Sequence, residues 1–366
     1  MTPDHSKPRR TPQSARALTS AYDAWLADQI PVVAADITTK HAQLAADRLR
    51  FLRGTYYLWL VRVAEQVPWV LETTRLPLVG DLHVENFGTW RDGHATTRWG
   101  VNDLDELACG PWLLDLLRLA VSAQVAPHVK VADDDVCDLL LDGYVAARPT
   151  AGLDVSSAGA KHLRALLPDP VDAEHFYGKL LKGAPAVVPE AVATGSAATA
   201  PAGWQPTWHV HAAGTGSLGH RRIVGVGRAA DGTWHAREAK EMGPGTAVWA
   251  ATQVGRMPRP DASLFGAVTQ QLDSSPDAIR VAGWQVRDLA PDLARIDLPG
   301  LRRKDGGQLL GSMAAATVDV HGVDRAAQKK ARAEAKAMDR SRFADAVATM
   351  KQVVVNDHRA YVGGAT

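Results

Sequence analysis

The chain is short of cysteine, of net charge and of long apolar runs. Only two cysteines, Cys109 and Cys137, occur among 366 residues. Neither sits in a C-x-x-C pair or at a metal-ligand spacing, which argues against a disulfide framework or structural zinc and fits a reducing cytoplasm. With 41 basic residues against 40 acidic ones, no global field draws the protein onto nucleic acid or an anionic membrane. No segment offers the roughly 18 uninterrupted apolar residues of a membrane helix, and the start "MTPDHSKPRRTPQSAR" lacks an apolar signal core. The expectation is a cytoplasmic protein without nucleic-acid or membrane partners. Glutamate is also missing from a long stretch, with none between Glu241 and Glu334.

What is present divides the chain. The first fifteen or so residues are polar and proline-bearing and predict a loose tail. Helical spacing follows in "ALTSAYDAWLADQI" and "KHAQLAADRLRFLRGTYYLWLVRVAEQV". "LPLVGD" reads as a strand, and "FGTW" and "TTRWGV" as two more joined across "RDGH", whose Asp-Gly is a hairpin signal. "CGPWLLDLLRLAVSAQVAP" predicts a helix with Pro111 in its first turn. Residues 183–203, rich in Ala, Gly, Pro and Thr, predict a linker. Beyond it "TWHVHA", "RRIVGVGR" and "TWHAREAK" predict a small antiparallel sheet, followed by helical stretches around 246–273, a strand "GWQVRDL" and a mainly helical end from about 307.

Three motifs carry chemistry. "GDLHVENFG" places Asp81 and Asn86 five apart, and "NDLDE" brings Asp103 and Asp105 after the hairpin. Phosphoryl transfer needs a carboxylate to orient or deprotonate an acceptor hydroxyl and oxygen ligands to hold magnesium on the phosphates, and a kinase catalytic loop uses this Asp-to-Asn spacing. The competing readings are a polar turn bonded to its own backbone and a metallophosphoesterase, whose second ligand set is not found downstream. "GTGSLG" gives Gly214, Gly216 and Gly219 the G-x-G-x-x-G pattern. A strand follows it rather than a helix, so it reads as a hairpin whose amides can approach phosphates, or as an ordinary glycine turn. Lys240 ends the strand after that hairpin, where a kinase places its phosphate-contacting lysine. The glutamate that usually pairs with such a lysine has no counterpart downstream, which leaves Glu238, Glu241 or no partner.

"GDLHVENFG" followed by "VNDLDELACGPWLLDLLRLAVS" resembles the bacterial family called domain of unknown function 2252 (DUF2252), and more distantly the aminoglycoside phosphotransferases. "KHAQLAADRLRFLRGTYY", "GTGSLG", "AREAKE" and "GWQVRDL" extend the resemblance to most of the chain from about residue 40. It implies a protein-kinase-like site. Asp81 would be the catalytic base with His83 beside it, and Asn86, Asp103 and Asp105 magnesium ligands. Gly214, Gly216 and Gly219 would cover the phosphates, Lys240 would contact them, and Asp115 would brace the catalytic loop. Arg53 falls in the "FLRG" signature and is grouped with the cofactor-binding residues.

Because glycine loop and lysine follow the catalytic loop here, the predicted fold is α+β, a two-lobed protein-kinase-like fold with a circularly permuted chain. The expected divisions are a helical large lobe over 16–182, a linker over 183–203, a small nucleotide-binding lobe over 204–294 and returning helices over 295–366. The expected function is an ATP- and Mg2+-dependent phosphotransferase acting on an unidentified small-molecule or protein hydroxyl. The alternatives are adenylyl transfer on the same fold and a catalytically silent nucleotide sensor or scaffold.

Overall fold

A computed structural model of the protein describes residues 13–211, 219–273 and 278–363. Most of the expected N-terminal tail, with Gly214 and Gly216, lies outside the described residues. Helix and sheet are mixed, an α+β architecture. Four helices lead: α1 (Ala15–Gln29), α2 (Ala34–Ala46), α3 (Arg48–Gly54) and α4 (Tyr56–Gln66). Ser14 and Asp47 cap α1 and α3 by accepting the N–H of Ala17 and Arg50, which satisfies donors a helix start leaves open. Strand β1 (Arg75–Leu78) leads into the polar loop, and β2 (Phe87–Arg91) and β3 (Thr97–Val101) form the expected hairpin.

Pro111 is not in a helix. It ends strand β4 (Ala108–Pro111), which pairs antiparallel with β1, and helix α5 (Leu113–Val125) starts only after Trp112. Proline tolerates a strand end as well as a helix start, so the tertiary pairing decides. In α5, Leu113, Leu114, Leu116, Leu117, Leu119 and Val121 are all buried; a helix apolar on every side must be enclosed. It is enclosed by α3, α6 (Asp133–Ala146) and the long C-terminal helix introduced below. A two-residue strand β5 (Leu153–Asp154) adds to β3, and a single turn α7 (Lys161–Arg164) follows.

Helices α8 (Ala173–Leu180) and α9 (Glu190–Thr199) precede strands β6 (Gln205–Val210), β7 (Arg222–Arg228) and β8 (Trp234–Glu241). The chain then runs through α10 (Thr246–Val254), β9 (Arg259–Pro260) and α11 (Ser263–Gln271) before β10 (Ile279–Val281) and β11 (Trp284–Leu289) complete an antiparallel sheet of order β10-β11-β8-β7-β6. Helices α12 (Arg303–His321), α13 (Arg325–Ala337) and α14 (Arg340–Gly363) end the chain, and α12 and α14 pack on α6 and α5.

Packing redraws three expected divisions. The predicted linker 183–203 contains α9, with Val192 and Ser196 buried against the sheet side; alanine favours helix even where composition resembles a linker. Helix α8, expected in the large lobe, packs on β7 and β8. Residues 246–273, expected in the small lobe, leave the sheet: α10 packs on α4 and β9 pairs with β4. Among the described residues, no helix is long and apolar enough to cross a membrane.

Candidate active site

A cavity of about 290 Å³ lies between the leading helices, the 79–106 segment and the sheet. The loop that carries Asp81 is fixed from behind. Asp115 of α5 is fully buried and accepts the backbone N–H of Val79 at 2.8 Å and of Gly80 at 3.0 Å. His321 donates from Nε2 to the same carboxylate at 3.0 Å, and its Nδ1 accepts the Tyr144 hydroxyl at 2.8 Å. Gly80 has φ +92°, and a Cβ there would stand 2.3 Å from the Glu106 carbonyl oxygen, so only glycine fits. From within the loop, the Asn86 side-chain amide donates to the Asp81 carbonyl.

Asp81 lines the cavity and is paired with Arg118, whose Nε lies 2.8 Å from Oδ1. Burial pushes the Asp81 pKa up to about 7, against the pull of Arg118. Arg118 is itself enclosed, donating to the Leu52 carbonyl at 2.8 Å and lying over the Tyr56 and Trp59 rings. Burial, followed by the positive charges of Arg53 and Arg118, holds His83 well below its ordinary pKa. Its Nδ1 accepts the Glu85 N–H at 3.2 Å, so His83 is a neutral hydrogen-bonding group.

The hairpin delivers the acidic segment to the same place, and Asn102 N–H bonds the Asn86 carbonyl at 3.0 Å. Asp103 lines the cavity, with the Asp105 N–H 3.4 Å from its Oδ1. Asp105 takes Lys240 on one oxygen and the Gln285 amide on the other, the latter at 2.8 Å. Burial acts to raise its pKa, but Lys240, Arg222 and Arg287 prevail and hold it well below the usual carboxylate range. Glu106 accepts the backbone N–H and the hydroxyl of Thr246 at the start of α10.

The sheet presents charge to this cavity in register. Arg222, Lys240 and Gln285 form one cross-strand row, and Val224, Glu238 and Arg287 the next row on the same face. Glu238 is buried and accepts from Arg222 at 2.8 Å, from Arg287 at 2.9 Å and from His211 at 2.9 Å. Glu241 is taken by Arg221 through two contacts of 2.6 Å. Neither glutamate is therefore the partner of Lys240. That role falls to Asp105, 135 residues earlier in the chain. Burial and the charge of Lys240 push His220 down to about 3, and its Nδ1 donates to the Glu241 carbonyl at 3.0 Å.

Asp81, His83, Asn86, Asp103, Asp105, Lys240 and Arg53 all line the one cavity, and Arg53 also pairs with Glu85. Gly219 does not join them. Its carbonyl accepts the Val33 N–H at 3.1 Å and its N–H reaches Asp36 at 3.4 Å, which ties it to the start of α2. Sequence reasoning missed Glu106, Arg118, Arg222, Arg287 and Arg295. Arg118 had a signal: it stands three residues after Asp115 as the one basic residue of an apolar helix. The others are brought in by tertiary pairing alone.

Among the described residues, no group of three or more His, Cys, Asp or Glu side chains forms a ready metal cage. Magnesium does not need one, since it commonly takes one or two protein oxygens and completes its shell with water and phosphate. Asp103, and Asn86 through Oδ1, fit that sparse pattern. Asp105, expected as a third ligand, has both oxygens engaged by Lys240 and Gln285.

Residues 32–147 match the model of a family described as an uncharacterized protein conserved in bacteria (DUF2252). The match supports that bacterial family for about a third of the chain. The DUF2252 region holds Arg53, Asp81, His83, Asn86, Asp103, Asp105 and Asp115, and ends before the sheet that carries Lys240. No curated protein and no solved structure matches the chain.

Proposed function

We propose that this protein is an ATP- and Mg2+-dependent phosphotransferase with a kinase-like site on a circularly permuted chain. The observation that carries the reading is the Lys240–Asp105 ion pair in the cavity that Asp81, Asn86 and Asp103 also line. It joins a lysine ending the third strand of the sheet's first run to the acidic segment after the catalytic-type loop, the two parts a kinase uses around its nucleotide phosphates. The resemblance of the Asp81 loop to that of aminoglycoside phosphotransferases points the same way, towards a hydroxyl acceptor. On this reading the helical part is the large lobe, the sheet with α8 and α9 is the small lobe, and the protein works in the cytoplasm.

On this reading the residues take the following roles. Asp103 and Asn86 would hold Mg2+, which supplies charge neutralisation on the phosphate oxygens when bound. Lys240, held in place by Asp105, donates to the phosphates. Asp81 receives the acceptor hydroxyl proton; a carboxylate with pKa about 7 is matched to that task near neutral pH. Arg118 fixes its orientation, and Asp115 fixes the loop beneath it. The test is incubation with MgATP and pooled small-molecule and protein acceptors, with products identified by mass spectrometry. A phosphoryl product lost in Asp81→Asn is expected. An adenylyl product, or unchanged turnover in that variant, contradicts the reading.

A further inference from the structure

The lysines and arginines that line the polar cavity are Lys40, Arg53, Arg222, Lys240, Arg287 and Arg295. All but the last have a carboxylate partner: Lys40 has Asp23 at 2.8 Å, Arg222 and Arg287 share Glu238, Lys240 holds Asp105, and Arg53 gives its Nη1 to Glu85. The exposed side chain of Arg295 makes no hydrogen bond or ion pair among the described residues. Its backbone is nonetheless fixed. Arg295 bridges Gly88 of β2, and the Ala294 carbonyl accepts the Thr89 N–H at 2.9 Å while the Ala294 N–H donates to the Thr89 hydroxyl at 2.8 Å. Arg53 stands in the last turn of α3 and reaches the Asp81 loop through Glu85. Both arginines act on the His83 imidazole, so both belong to the Asp81-loop side of the cavity. The charged neighbours of Arg295 are Asp103 and Glu85, which attract it, and Arg287 and Arg53, which repel it. Like charges gathered in this way cost free energy that an anion bound among them offsets.

We infer that Arg53 and Arg295 hold an anionic group of the acceptor, which is a small alcohol bearing a phosphate or a carboxylate. The inference rests on the phosphotransferase reading above. Lys240 and Arg222 stand on the sheet, whereas Arg53 and Arg295 are tied to the loop and strand around Asp81, where the acceptor hydroxyl must lie. A guanidinium fork matches the geometry of either anion, and gripping one end of the acceptor holds its hydroxyl against Asp81. In the transfer the acceptor oxygen bonds to the γ-phosphorus of ATP. The bond from that phosphorus to the β–γ bridging oxygen breaks, its electron pair leaving with ADP, and the hydroxyl proton goes to Asp81. The anionic group itself is unchanged. A polyamine acceptor would be repelled by both arginines.

The test is a titration of inorganic phosphate, followed by phosphorus NMR line broadening, into protein saturated with Mg2+ and β,γ-imido-ATP, which occupies the nucleotide site without transferring its phosphate. The proteins are the native chain, Arg295→Gln and Arg53→Gln, with Arg295→Glu as a second variant at the position that lacks internal side-chain contacts, so that the test stands if Arg53→Gln fails to fold. Calorimetry of imido-ATP binding to each protein shows that the nucleotide site is formed. The loaded native chain is expected to bind phosphate saturably, and each Gln variant to bind it at least about tenfold more weakly, the effect of losing charge-assisted hydrogen bonds. Arg295→Glu should abolish phosphate binding, and imido-ATP affinity should be unchanged in both Arg295 variants. Undiminished phosphate binding in either Gln variant, or none in the loaded native chain, overturns the inference and leaves the phosphotransferase reading in place. An equal loss of imido-ATP affinity in Arg295→Gln assigns that arginine to the nucleotide and overturns it too. A native chain that binds no imido-ATP with Mg2+ removes the phosphotransferase reading itself, and this inference with it.

Discussion

Around α5, buried leucines belong to one continuous apolar cluster that also takes in α4, α6, α12 and α14, whereas the sheet packs two small clusters on its opposite faces. One holds Val192, Ile223, Ala239, Trp284 and Val286, and the other Tyr177, Val224, Val226 and Ala236. Each fully buried leucine contributes about 1.5–3 kcal/mol, so the helical part supplies most of the apolar stabilisation. The sheet instead gives five of the six positions in two cross-strand rows of one face to charge and amide groups, Val224 being the exception, and polar contacts join it to the acidic segment: Lys240 and Gln285 to Asp105, and Arg280 to the Leu104 carbonyl at 2.9 Å. The difference teaches that one part provides a fixed base for the Asp81 loop and the other provides the charged wall that a ligand meets. Substitutions in the two parts should therefore separate stability from binding.

Asp115→Ala should have the largest effect. It strips the acceptor from the buried N–H groups of Val79 and Gly80 and from His321 Nε2, and should cost about 3–5 kcal/mol in a denaturant titration, since each buried donor left unsatisfied costs about 1–3 kcal/mol. Asp81→Asn should leave most nucleotide binding and lower turnover by about 10²–10⁴-fold, measured by single-turnover transfer. The native pH profile sharpens that assignment. The base is the ionised form, and burial puts its pKa at about 7, so turnover should rise with pH up to that value, by about tenfold per unit on the acidic side, and then level off. Asp81→Asn should lack this limb. Val192→Ala should have the smallest effect, about 1 kcal/mol for a trimmed buried side chain. Hydrogen exchange should show it as faster opening of β10 and β11 with α5 unchanged; equal acceleration in α5 would remove the contrast between the two parts.

Local pattern made the three strands β6, β7 and β8 and the Asp81–Asn86 spacing legible, because alternation and motif spacing are properties of neighbouring residues. β4 was hidden because "CGPW" before an apolar run reads equally as a helix start, and its pairing with β1 is a contact across 30 or so residues of chain. The excursion of 246–273 onto the helical part was hidden for the same reason: helix periodicity shows an apolar face without showing what covers it. The sequence around Lys240 offers Glu238 and Glu241 as partners for it. Asp105 meets it only because the register Lys240↔Gln285 in the sheet sets both side chains over one carboxylate, and no local spacing encodes that.

The central claim is that residues from both parts form one nucleotide site, and ATP calorimetry with and without Mg2+ tests it most directly in the native chain, Asp103→Asn and Lys240→Ala. The account predicts binding that depends on Mg2+ and is weakened by each substitution. Binding that ignores Mg2+ and survives both substitutions would contradict it.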